Sequence, residues 1–119
     1  MKIAISSTGK ELTSKLSDVF ARCPYFFIVK SENGKLGETE VIENNNVQQM
    51  GGAGISAAQL MAENDVNIVI SGNVGPRALD VLKQFSIDVY VSEGTIEEVL
   101  QLFLEGKLKK YENSDSNGQ

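Results

Sequence analysis

Asn33-Gly34 is the feature that most restricts this chain. It stands between Tyr25-Phe26-Phe27-Ile28-Val29-Lys30, the most β-prone run of the sequence, and a second extended run from Leu36 to Ile42. A tight two-residue hairpin turn needs positive φ at both central residues, which asparagine and glycine tolerate best. The two runs are therefore expected to pair antiparallel, within a mixed rather than an all-parallel sheet. Pro24 opens the first run. Before it, Lys2 to Ser6 carries Ile3, Ala4 and Ile5 and reads as a short buried strand. Between these strands, Thr8 to Asp18 is polar, with Leu12 and Leu16 able to anchor a loop or a short helix. The first third is a three-strand β unit. The return strand, less apolar, is expected to be half exposed.

The periodicity then changes. Glu43 to Met50 is a polar connector with three asparagines, and it leads into the glycine-rich loop Gly51-Gly52-Ala53-Gly54. Helical spacing of Ile55, Ala58 and Met61 places a helix over about Gly54 to Asn64, and Val66 to Ile70 reads as a strand. After Ser71-Gly72-Asn73-Val74-Gly75, Pro76 suits the first residue of a helix reaching Phe85. Ile87 to Val91 is the fifth strand. Thr95 and Glu98 have capping-box spacing ahead of a last helix to Glu105, with Gly106 as its C-cap. Glu112 to Gln119 lacks apolar anchors and is expected to be a disordered tail behind one α/β domain over residues 1–111. The order βββ then αβαβα, with right-handed crossovers, predicts a five-stranded mixed sheet. Its expected strand order is 3-2-1-4-5 with helices on both faces, the ribonuclease H-like arrangement.

Composition removes many chemistries. The chain of 119 residues contains no histidine and one cysteine, Cys23. A histidine triad, a His₃ zinc site and histidine acid–base catalysis are excluded, and one chain cannot build a Cys/His metal site alone. A net charge of −5 argues against general binding to nucleic acid or anionic membranes. No run approaches the about 18 apolar residues of a membrane span. The run Met1 to Ile5 is too short for a signal peptide, so the chain reads as cytoplasmic.

In the expected topology one sheet edge receives the ends of the first, third, fourth and fifth strands. It gathers Ser6, Ser7, Arg22, Cys23, Gly51, Gly52, Ala53, Gly54, Gly72, Asn73 and Gly75, together with three helix N-termini. Ligands of open α/β sheets favour such strand ends where the strand order reverses. Glycine loops and helix N-termini suit an anion. Each residue also has a plainer reading. Arg22 serves equally as a surface arginine paired with a carboxylate. Cys23 is either a small apolar residue or a thiolate favoured by Arg22 and the helix ends. The glycines are either a ligand seat or tight turns. Their spacing fits neither a Rossmann motif nor a P-loop. Asp18, Glu43 and Glu93 are not spaced as a catalytic pair, and the carboxylates of a two-magnesium nuclease cannot be placed.

The run Val19 to Phe26 with Arg22-Cys23-Pro24, the loop Gly51 to Ile55, and Ile70-Ser71-Gly72-Asn73-Val74-Gly75-Pro76 resemble the dinitrogenase iron–molybdenum cofactor biosynthesis family. Gly94 to Glu98 and Glu105 to Leu108 extend the resemblance to about Met1–Leu108, in the same order and spacing, as in its small single-domain archaeal and bacterial members. The resemblance implies a ribonuclease H-like fold and the carrying of an anionic iron–molybdenum–sulfur type cluster. Members often have histidine where this chain has Val19 and Gly51, and glycine where it has Ala21, so histidine ligation is not available here.

The expectation is a non-enzymatic carrier of such a metal–sulfur cluster. Its site would be Arg22, Cys23, Gly51, Gly52, Ala53, Gly54, Gly72, Asn73 and Gly75, with Cys23 the one metal ligand available. Its partner would be a cluster donor or acceptor protein, not nucleic acid or membrane, and the carrier itself a monomer or weak dimer. The alternative is a protein-interaction module of the same fold without a cofactor. An enzyme with Cys23 as nucleophile would lack a general base.

Overall fold

The computed structural model describes residues 1–45 and 51–111. Its elements run β1 (Lys2–Ser7), β2 (Tyr25–Glu32), β3 (Lys35–Glu43), α1 (Ala53–Glu63), β4 (Ile68–Ser71), α2 (Pro76–Gln84), β5 (Asp88–Val91), α3 (Ile96–Leu104) and β6 (Lys109–Lys110). Asn33 and Gly34 take φ of 55° and 77°, and β2 pairs antiparallel with β3 around them. Three steps of β3, Leu36 to Thr39, face two steps of β2, Ser31 to Val29, so the hairpin carries a bulge near Gly37. β1 pairs antiparallel with β2 and parallel with β4, and β4 pairs parallel with β5.

Among the described residues the order is β3-β2-β1-β4-β5-β6, six strands rather than the five expected. The added strand pairs Tyr90 with Lys110 and Val91 with Lys109, antiparallel. Two exposed lysines carry no strand pattern of their own. Pairing is imposed by the otherwise open edge of β5, where Tyr111 N–H also donates to the Val89 carbonyl at 2.7 Å. The expected tail from Glu112 lies outside the described residues, as do the last residues of the asparagine-rich connector, 46–50.

Strand alternation sorts the core into two layers. Ala4, Phe26, Ile28, Val69 and Val89 pack on one face against Ala57, Ala58 and Met61 of α1 and Ala78, Leu79 and Leu82 of α2. Ile3, Ile5, Phe27, Val29, Ile68 and Ile70 pack on the other against Ile96, Val99 and Leu100 of α3. Helices thus cover both faces, as expected. Small residues set the approach of α1 to α2: a Cβ added at Gly54 would stand 3.2 Å from Ala78 Cβ. The helices begin and end within a residue of the expected positions. Thr95 and Glu98 form the complete capping box. Gly106, at φ 72°, closes α3 with its N–H on the Phe103 carbonyl and that of Lys107 on the Leu102 carbonyl. Residues 8–18 form a loop, not a helix, held by bridges from Leu16 to Ser7 and from Lys15 to Thr95. Most of β3 is more exposed than expected, with Lys35 to Glu40 exposed and Val41 and Ile42 half-buried. Among the described residues no helix is long and apolar enough to cross a membrane.

Candidate functional site

Hydrogen bonds between loops assemble one edge of the sheet. Ser7 ends β1 opposite Tyr25, which starts β2, and Tyr25 faces Glu43 at the end of β3. Ser71 ends β4 beside Val91 of β5. Where β1 and β4 end side by side, Ser6 Oγ donates to Ser71 Oγ at 2.8 Å, and the Ser17 N–H donates to the Ser6 carbonyl at 2.9 Å. Ser6 and Ser71 are fully buried. The Gly72 N–H then donates to the Ser17 carbonyl at 3.0 Å, and the Phe20 N–H to the Asn73 carbonyl at 3.0 Å. These bonds lash the loop carrying Arg22 to the loop that opens α2.

The start of α1 reaches the same edge, because Gly54 lies against Ala78 in the first turn of α2. At the far end of α1, Lys2 Nζ, at the beginning of β1, donates to the Asn64 carbonyl at 3.0 Å. The helix therefore runs from this edge to the other. Arg22, Gly51 to Gly54 and Gly72 to Gly75 all belong to the edge that the strand order predicts.

The glycines do different jobs. Gly51 and Gly52 have φ of 76° and 71°, a left-handed conformation that side-chain-bearing residues rarely adopt, and Gly52 is the N-cap of α1. Ala53, the first residue of α1, is buried. At Gly72 the backbone of Asp18 leaves no room for a Cβ, and at Gly54 a Cβ would fit against Ala78 only if the two helices eased slightly apart. Gly75, at φ −65° and with open space where a Cβ would stand, is an N-cap without that demand.

The helix ends differ in charge. Neither α1 nor α2 has an acidic residue in its first turn or a side-chain cap. α3 carries Glu97 and Glu98 there. The Glu98 carboxyl accepts from the Thr95 N–H at 2.9 Å and is held below its ordinary pKa chiefly by that bond. The last helix thus answers its N-terminal dipole with its own carboxylates. The first two do not. Arg77, exposed in the first turn of α2, is a cation at this edge that the sequence reading passed over. Lys10 Nζ lies 5.4 Å from the centroid of the Tyr25 ring, also at this edge. Asp18 stands beside Gly72 and Glu43 ends β3, so the edge holds charge of both signs.

Cys23 departs from the thiolate that neighbouring Arg22 suggests. Arg22 is exposed, whereas Cys23 is 1% exposed and joins the core cluster with Phe20, Phe26 and Val74. Burial pushes its thiol up from 9.0 to about 12, although N–H groups of Ser7, Cys23, Tyr25 and Asn44 favour the charged form. The thiol is neutral at physiological pH, and its Sγ donates to the Phe20 carbonyl at 3.4 Å. Among the described residues no three His, Cys, Asp or Glu side chains gather to hold a metal ion. Asn44 lies in the connector that the strand order already brings to this edge, but its sequence foretold no role for the side chain. It was legible only as one of three turn-forming asparagines, yet its side chain is buried and spans the backbone around Arg22.

Among the open depressions at the other end of the hairpin are two of about 560 and 310 Å³. Both are lined by exposed charged residues, including the Lys30–Glu38 ion pair at 3.1 Å, and read as the solvated margin of an edge strand.

Residues 1–106 match the model of the dinitrogenase iron–molybdenum cofactor family. The chain belongs to that family. The membership bears out the resemblance carried by the Arg22-Cys23-Pro24, Gly51–Ile55 and Ile70–Pro76 segments. Protein MJ0580 of Methanocaldococcus jannaschii is 45% identical over 113 residues, covering 94% of this chain and 92% of the relative. Protein MJ0327 of the same organism is 31% identical over 116 residues, covering 95% and 96%. The apo form of the orange protein from Desulfovibrio gigas superposes with a TM-score of 0.85 at 27% identity, over 92% of each chain.

Proposed function

We propose that this member of the dinitrogenase iron–molybdenum cofactor family is a non-enzymatic cytoplasmic carrier that takes an anionic metal–sulfur cluster as cargo. One observation carries the reading. The N-termini of α1 and α2 adjoin at the edge where Arg22 stands, and neither has a carboxylate of its own, whereas α3 has two. Unpaired N–H groups at a helix start and a partial positive charge favour an anion. The glycine backbone of Gly51 and Gly52 admits a bulky ligand close to the main chain. Cargo would be held by charge and hydrogen bonds from Arg22, the Gly51–Gly54 backbone and the Gly72–Gly75 loop. A partner protein would deliver or receive it. The same reading takes the fold as ribonuclease H-like, its first five strands keeping that order. That a relative of like fold is described in an apo form accords with a protein that binds and releases a group.

Ligation through Cys23 is the competing mode, and it would require the loop above the thiol to open. Anaerobic titration with tetrathiomolybdate, a sulfide-rich molybdenum anion, separates the two. The electrostatic mode expects Cys23→Ser to retain most of the wild-type affinity and Arg22→Ala to lose about tenfold or more, as for a hydrogen bond to a charged group. Loss of binding in Cys23→Ser alone would establish ligation. No binding by the wild-type protein would favour an interaction module without cargo.

A further inference from the structure

Asn44 follows the last residue of β3 and is 4% exposed. Its side-chain amide nitrogen donates to the Ala21 carbonyl at 3.0 Å and to the Cys23 carbonyl at 2.8 Å. Those carbonyls belong to the two residues that flank Arg22. Its backbone N–H donates to the Pro24 carbonyl at 2.9 Å, and its amide also lies against the Cys23 sulfur. A turn-forming asparagine would bond to its own neighbours. This one instead reaches across to a segment more than twenty residues earlier in the chain.

We infer that Asn44 is the positioning residue of the edge: its amide clamps the backbone on both sides of Arg22, fixing where the guanidinium emerges and keeping the Cys23 thiol closed beneath. The part that concerns Arg22 and cargo rests on the carrier reading, and the part that concerns the clamp does not. Buried amides with both partners in place hold a loop in one conformation. Removing the amide leaves the buried Cys23 carbonyl and the half-buried Ala21 carbonyl without this donor, and the residue 21–23 segment opens locally before the sheet does.

Because Cys23 is the only cysteine, thiol labelling reads that opening without ambiguity. With an aromatic disulfide reagent, Asn44→Ala should label about tenfold to a hundredfold faster than the wild type, for two hydrogen bonds lost. Val99→Ala, a truncation in the opposite core layer, serves as the comparison for general destabilisation. If Asn44→Ala labels no faster than Val99→Ala at matched stability, the clamp is refuted. Should Asn44→Ala fail to fold, hydrogen exchange on the wild-type protein decides. The Asn44 side-chain N–H groups should exchange at least about tenfold more slowly than those of exposed Asn33 and Asn73. Equal rates overturn the inference.

Tetrathiomolybdate binding then tests the link to Arg22. Asn44→Ala should cost about tenfold in affinity in the wild-type background and less than about twofold beside Arg22→Ala, as expected of coupled residues. Equal losses in both backgrounds would show that Asn44 does not act through Arg22. If the wild type binds none of this anion, the carrier reading falls, while labelling and exchange still decide the clamp.

Discussion

The Cα of Asp18 lies 2.7 Å from the point where a side chain on Gly72 would begin, with the Ser17 carbonyl oxygen 3.0 Å from it. Gly72 is thus glycine because the loop from β1 crosses directly over the loop from β4, at the place where the strand order reverses.

Gly72→Ala should be destabilising through this contact. The obstacle is backbone, which cannot swing aside as a flexible side chain would. The Gly72 N–H bond to Ser17 would have to lengthen as the loops part. A loss of about 1–3 kcal/mol is expected, the usual cost of overpacking. Gly75→Ala, with open space at its Cβ position and an ordinary φ, should cost far less. Urea unfolding of the two variants checks the contrast.

Cys23 makes a prediction about alkaline stability. Its folded pKa is raised to about 12 from 9.0 by burial. A raised pKa means that the folded state holds the proton longer than the unfolded state. The stabilisation from the buried neutral thiol is therefore complete below about pH 9 and is lost as pH climbs towards 12. Within that window, the stability of the wild type relative to Cys23→Ala should fall by up to about 1.4 kcal/mol per pH unit. Denaturant midpoints of both proteins, measured from about pH 8 to about pH 10.5, read the difference. Parallel curves would show that Cys23 is not shielded as described.

The charge asymmetry among the helices can be inverted. Ile55 is exposed at the third residue of α1. Ile55→Glu would place there the kind of carboxylate that α3 already has at Glu98. The variant should be as stable as the wild type or more so, by about 0.3–1 kcal/mol, because acid suits a helix N-terminus. Its affinity for tetrathiomolybdate should nevertheless fall. Stability and binding moving in opposite directions is an outcome that damage to the fold could not produce. Unchanged affinity would detach α1 from the cargo site.

Much of this architecture was legible in local sequence. Asn33-Gly34 determined the hairpin, since few other pairs take positive φ twice in succession. The alternation in Ile3-Ala4-Ile5 and Phe26-Phe27-Ile28-Val29 determined which residues face which core layer. Pro76, and Thr95 with Glu98, marked where helices begin. The crossover rule then brought Arg22, Gly52 and Gly72 to one edge. What tertiary structure alone decided lies in contacts between distant segments. Arg22 and Cys23 are neighbours in sequence, but one emerges into solvent and the other enters the core, because the loop is pinned at Phe20 by Asn73 and at Ala21 and Cys23 by Asn44. A polar asparagine becomes a buried clamp, and two lysines become a sixth strand, for the same physical reason. Hydrogen-bond partners and desolvation belong to the place a residue reaches in the fold, whereas turn, cap and periodicity preferences belong to the residue itself.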